Sequence, residues 1–431
     1  MPTDGRAAAV RASPGLTVVF LLACLAAVSR GVFEVTVGKT AGYAIQLGAF
    51  VVLTLVLLAA GARPGPRARV QCALGYGFVV VVVASCLLTS LVQNVGYFWY
   101  YAGVMVFFAA MFVVYGGLEL PAASRIAVGP TLSLVTTALV GTALLQQFRG
   151  WSVLPSSDEA SLGGTVRPAS LTGSYLHYPL AAALLTFLLL EVYRRGRRTY
   201  VLAAAALALA GVVLSYSRSG YLVLAAGGLF YLLSARDLGA RLRLVGAGVL
   251  AFVALVSLGL GRAYFDRGLS SFDLAGSGND VRIGLWHRSV EQWLGSGLLV
   301  GQYTGMASNV TRNLGDTTVG VVESGFFQQL LSFGLLGVVL FYALMLGVRA
   351  GVPREAAWLR AGMLGALLES VVYQSIEVLP YVFFFCVAGV VGQSALESRD
   401  GDVRERRRPG RLLVAAPAAG RRVGGGGQRV P

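Results

Sequence analysis

Lysine is almost missing from this chain: Lys39 is the only one among 35 basic residues. Charged residues of either sign make up 13% of the 431 positions, about half their share in soluble domains. So few charges cannot cover a water-facing surface, and an ordinary soluble domain is excluded. Histidine is scarcer than tryptophan, with only His177 and His287 present. The four cysteines, Cys24, Cys72, Cys86 and Cys386, lie inside apolar runs without CxxC or CxxH spacing. Neither a disulfide framework nor a zinc site fits that pattern, and burial as small apolar residues does.

What the chain has is apolar length. Hydrophobic residues reach 56% and the mean hydropathy is +0.71, which makes an all-α integral membrane protein the expected class. A bilayer core needs about 20 apolar residues per helix. Twelve segments offer this or nearly so: 15–29, 41–61, 70–91, 97–117, 126–146, 175–193, 199–216, 220–234, 244–261, 323–348, 356–373 and 380–396. The first follows Arg6 and Arg11, as a signal peptide would, but no small-residue cleavage site leads into a soluble domain, so it is read as a span. The expected organisation is a cytoplasmic N-terminus over 1–14, a polytopic domain over 15–396 and a basic, low-complexity tail over 397–431, disordered and at most touching anionic lipid.

Orientation follows from the basic residues, which short cytoplasmic loops retain. The sets Arg63, Arg67 and Arg69, the "RRGRR" run at 194–198, Arg236, Arg241 and Arg243, and Arg349 with Arg354 all fall on one side, together with the N-terminus. Both termini are therefore expected inside. The net charge of +15 reports this topology, since no nucleic-acid-binding motif accompanies it.

Two outer stretches are long, 147–174 and 262–322, the second between spans nine and ten. The second holds "NDVRIGLWHRSVEQWLGSG", in which Asn279 or Asp280 can cap a helix with Ile283, Trp286, Val290, Trp293 and Leu294 at helical spacing. Such a helix is expected on the outer membrane surface, its tryptophans at the lipid interface and Arg282 in its first turn.

An arginine also interrupts the apolar run "GVVLSYSRSGYLVLAAGGLF", where Arg218 is flanked by Ser217 and Ser219 in the turn between spans seven and eight. Snorkelling to the headgroups is one reading. The other is an anion site, because a guanidinium fork among hydroxyls suits phosphate oxygens. Glu369 lies within span eleven, where a carboxylate is costly and seldom idle. It is expected to pair with Arg218 or Arg282, or to orient an acceptor.

The motifs "LSYSRSGYLVLAAG", "DVRIGLWHRSVEQW", "GSGLLVGQYTG" and "ESGFFQQLLSFGLLGVVLF", preceded by "RPASLTGSYLHYPLAAALLTFLLLE", resemble in order and spacing the O-antigen ligase and polymerase superfamily over about 165–395. The resemblance implies a GT-C-like, inverting membrane glycosyltransferase. Its donor would be a glycan on undecaprenyl diphosphate, its acceptor a glycan or lipid, and its site would face outward from the bacterial cell membrane. No metal or other cofactor is then required, because the lipid diphosphate is itself the leaving group. Arg218 and Arg282 match the arginines that hold this diphosphate, with Arg288 and His177 as possible support. The ligases place a histidine where this chain has Glu323, at the matching distance from Gly334 and Gly337. A carboxylate can serve as the general base there, or it can simply favour a helix N-terminus. The missing histidine tilts the expectation from ligase to polymerase. A flippase or exporter for the same lipid-linked sugars is the competing class, but it predicts inverted repeats that the sequence does not display.

Overall fold

The computed structural model describes residues 12–92, 98–119, 126–150, 160–162, 165–234, 279–296, 298–308 and 321–394, with isolated helical positions between 239 and 248. Most of the expected ninth span, residues 262–278 and 309–320 of the expected outer stretch, and the tail from 397 lie outside the described residues.

The described chain is helical almost throughout. Its helices are α1 (Pro14–Val28), α2 (Arg30–Thr36), α3 (Lys39–Ala59), α4 (Ala68–Val92), α5 (Phe98–Gly117), α6 (Val128–Arg149), α7 (His177–Gly196), α8 (Thr199–Leu214), α9 (Arg218–Ser234), α10 (Asn279–Gly295), α11 (Gly325–Gly351), α12 (Ala357–Val372) and α13 (Leu379–Ser394). Every expected apolar segment that falls on described residues coincides with one of them, its ends shifted by a few residues. Five are long and apolar enough to cross a membrane: Thr40–Ala59, Ala68–Val92, Phe98–Gly117, Val128–Arg149 and Gly325–Gly351. A sixth results if α1 and α2, bent by 70°, form one broken span. Among the described residues five or six helices thus meet the length and composition of a span, and the other expected spans that fall on described residues are shorter or more polar helices. The chain is an all-α protein with membrane-spanning helices, and its exterior agrees: Tyr76, Val80, Leu91, Phe148 and Leu233 stand exposed on the helix surfaces, a covering suited to lipid and not to water.

The core follows from composition. Helix α13 is apolar on every face and buried on every face from Tyr381 to Val391, as expected of a helix surrounded by others. It packs against α1, α5, α7, α11 and α12. Helices α9 and α12 approach through glycines: a Cβ on Gly365 would stand 2.6 Å from the Val223 carbonyl oxygen and 2.7 Å from the Gly227 nitrogen.

At the end of the bundle where α7 runs into α8, Glu191 is fully buried and bound by Arg194 at 2.5 Å and Arg195 at 2.6 Å. Its second oxygen accepts the Trp358 backbone N–H at the start of α12, 3.3 Å away. These bonds tie α7 to the start of α12. At the same end the two-residue strands Arg63–Pro64 and Leu118–Glu119 pair antiparallel and hold α4 against α5.

Two expectations change, and the long 147–174 stretch gains structure of its own. Cys72 is exposed on α4, while Cys24, Cys86 and Cys386 are buried, because Cys72 falls on the outward stripe of its helix. The 147–174 stretch contains a hairpin, Ala160–Leu162 against Thr165–Arg167. Helix α10 forms as expected, but Trp286 and Trp293 turn toward the protein, packing on Met306, Ala307, Val322 and Leu331. The segment 298–308 that follows the helix supplies this second small core, so the indoles find protein instead of the lipid interface. Trp293 further donates its Nε1–H to the Leu298 carbonyl at 2.9 Å.

Candidate active site

Helix α11 is broken at Gly334, whose φ of 68° and ψ of −170° depart from helical geometry. The break leaves backbone groups unpaired, and the segment after α10 fills the gap. Leu335 and Leu336 donate their N–H groups to Leu298 and Leu299, each at 3.2 Å, and Tyr303 donates to Leu331 at 3.3 Å. Thr304 Oγ1 donates to the Ser332 carbonyl and Ser332 Oγ accepts from the Gly305 N–H, both at 3.2 Å. The fit requires glycine on both sides. A Cβ on Gly334 would meet the Leu299 oxygen at 2.5 Å, and one on Gly301 would meet the Leu331 oxygen at the same distance. The motif "GSGLLVGQYTG" therefore locks helix α10 onto α11.

That lock brings Arg282 to Glu323. The guanidinium binds Oε2 of Glu323 through both Nε and Nη2, leaving Oε1 outside the pair. It also lies over the Tyr373 ring, 5.1 Å from its centroid. The side chains are 26% and 45% exposed, so the pair resembles surface ion pairs worth about 0–1 kcal/mol. Glu323 precedes the N-cap Ser324, whose Oγ accepts the Phe327 N–H at 3.3 Å and donates to the Val371 carbonyl at 2.6 Å.

Arg218 opens α9 after a tight turn. Tyr216 adopts a φ of 53°, and Ser215 Oγ donates to the Val212 carbonyl at 2.6 Å while accepting the Ser217 N–H at 3.2 Å. The hydroxyls of Ser217 and Ser219 are buried and bonded to one another at 2.9 Å. They build the turn that presents the arginine. Arg218 and Arg282 both act electrostatically on the Tyr373 hydroxyl, as does Glu369.

Glu369 sits one turn before Tyr373 on α12, fully buried, with neither carboxylate oxygen hydrogen-bonded and with Ser375 beside it. The expected pairing with Arg282 does not occur, because Arg282 reaches Glu323 from the loop side of the helix ends while Glu369 lies inside the bundle. His177, at the start of α7, joins a neighbouring cluster: Arg30 Nη1 is 2.6 Å from its Nδ1, and Arg30 in turn pairs with Glu34 at 3.5 Å and lies 5.6 Å from the Tyr43 ring centroid. Glu377, buried and bonded to Gln328, acts electrostatically on Tyr43. Arg288, one and a half turns along α10 from Arg282, is exposed.

Sequence reasoning brought forward Arg218, Arg282 and Glu323 and passed over Tyr373, Arg30 and Gln328. An aromatic residue one turn beyond an intramembrane carboxylate was the available signal for Tyr373. Among the described residues no group of three or more His, Cys, Asp and Glu side chains is arranged to hold a metal ion. The chemistry on offer is two guanidiniums for an anion and a half-exposed carboxylate for a proton. Comparison with protein-family models and with curated proteins finds no match.

Proposed function

We propose that this chain is a membrane glycosyltransferase of the GT-C type that polymerises oligosaccharide repeat units carried on undecaprenyl diphosphate. In this reading it spans the bacterial cell membrane twelve times, with both termini inside and the cluster around Tyr373 facing outward. One observation carries the proposal: Arg282, from α10, binds Glu323 at the head of α11 and lies over the ring of Tyr373, whose carbonyl accepts the Gly325 N–H of that same helix start.

The chemistry suits that set. An acceptor hydroxyl oxygen bonds to the anomeric carbon of the donor sugar while the bond from that carbon to the diphosphate oxygen breaks. The electron pair leaves on the diphosphate, where Arg218 and Arg282 stabilise the growing negative charge. The acceptor proton passes to the Glu323 carboxylate. The carboxylate in place of the ligase histidine favours polymerase over ligase.

The test is reconstitution. Purified protein in lipid vesicles with undecaprenyl-diphosphate-linked repeat units should yield a ladder of longer chains, and Arg282→Ala should abolish it. Movement of the intact lipid-linked sugar across the membrane without any new glycosidic bond would overturn the proposal in favour of a flippase.

A further inference from the structure

The ion pair between Arg282 and Glu323 joins the two groups that the transferase reading assigns to opposite tasks. In that reading Arg282 holds an anion and Glu323 takes a proton, yet in the structure each occupies the other. The two ends of the pair belong to different helices, joined side by side at the Gly301–Gly334 junction. Glu323 is fixed to α12 through Ser324 and Gly325, whereas Arg282 arrives on α10. The guanidinium has a second support in the Tyr373 ring, so losing the carboxylate does not strand it. Only Oε2 is engaged, and half-exposed pairs of this kind are weak. A diphosphate brings more negative charge and a bidentate oxygen pattern that guanidinium matches closely.

We infer that Glu323 is the resident substitute for the lipid diphosphate: the arriving donor takes Arg282 from it, and the released carboxylate then becomes competent to accept the acceptor's proton. The inference rests on the transferase reading and adds an order to it. Donor binding precedes acceptor activation, and an empty site holds its base in check.

Binding of undecaprenyl diphosphate to the full chain in nanodiscs tests the exchange. Glu323→Gln should bind this probe roughly two- to fivefold more tightly than the parent, the gain expected from releasing a weak ion pair. Simple relief of charge repulsion would also tighten binding, so the same substitution is repeated on Arg282→Ala. There the gain should vanish, since Glu323 acts through Arg282. Unchanged or weaker binding by Glu323→Gln overturns the exchange, and so does a gain that persists without Arg282. A parent protein that binds the probe and polymerises leaves the transferase reading standing in either case. A parent that binds no diphosphate removes both. Thermal unfolding of each variant in the same nanodiscs shows whether it is folded.

Discussion

The backbone N–H of Gly325 donates to the carbonyl oxygen of Tyr373 at 2.9 Å. This bond staples the start of α11 to the end of α12 and fixes Glu323 relative to the ring beneath Arg282. Two parts of the site are thus preorganised by main-chain contacts, and the third is delivered by α10. Preorganisation of this kind is what lets charged groups stabilise a transition state without moving first.

The staple makes Ser324 a residue of consequence for both stability and rate. Ser324→Ala removes a helix N-cap and a buried hydrogen bond, each worth about 1 kcal/mol. The melting temperature should fall by several degrees, and transfer should drop with it even at temperatures where the variant is fully folded. Unchanged melting would mean that the cap is replaced by solvent.

The arginines should separate sharply. Arg282→Ala should lose transfer and Arg218→Lys should be severely impaired, since an ammonium cannot reproduce a planar fork. Arg288→Ala, altering an exposed position of α10, should stay within a few-fold of the parent. Equal losses at Arg282 and Arg288 in a polymer-ladder assay would mean that α10 contributes diffuse charge and no specific contact.

Glu323→Gln should turn over about 100- to 10,000-fold more slowly, the usual cost of removing a general base. A role confined to the helix dipole is worth only about 0.3–1 kcal/mol in stability and would leave turnover intact. Single-turnover transfer with saturating donor separates the two, and Glu323→His should recover part of the rate.

Gly334→Ala and Gly301→Ala should each disrupt the junction of α11 with the 298–305 segment, because each Cβ would fall 2.5 Å from a backbone oxygen. Gly334 carries the further cost of a left-handed φ, about 1–3 kcal/mol for a residue with a side chain. Loss of folded protein by size exclusion is expected for both, and a well-folded, active Gly334→Ala would contradict the geometry.

Membrane orientation can be read directly. Reporters fused after Arg198 and after Asp400 should read cytoplasmic, and one near Gly315 external. An external reading at the "RRGRR" run would invert the proposed topology and put the arginine cluster on the wrong side.

Apolar length was legible residue by residue: the run 70–91 became Ala68–Val92, and 356–373 became Ala357–Val372. Length alone did not reveal that the chain bends by 70° after Val28, because Ser29 and Arg30 read equally well as the start of a loop. Helical spacing found α10, yet it carried no information on which way the helix rolls, and the tryptophans were therefore assigned to lipid. The pair of Arg282 with Glu323 spans 41 residues and depends on how α10 is seated by Gly301 and Gly334. Those glycines were visible, but the helix break that they permit was not, since a single φ reversal leaves no periodic trace. The same holds for His177, whose partner Arg30 comes from the other side of the α1–α2 bend.

The glycine contact between α9 and α12 has a consequence for redesign. Arg218 heads α9 and Tyr373 follows α12, and the two helices meet backbone to backbone at Gly227 and Gly365. The separation of the two helix axes there is set by main-chain dimensions, so a side chain larger than hydrogen at Gly365 would have to push α9 and α12 apart. The helix that Arg218 heads and the helix that Tyr373 follows are thereby held as one unit, and the glycine pair, more than two turns from either residue, is where that unit would be forced open first.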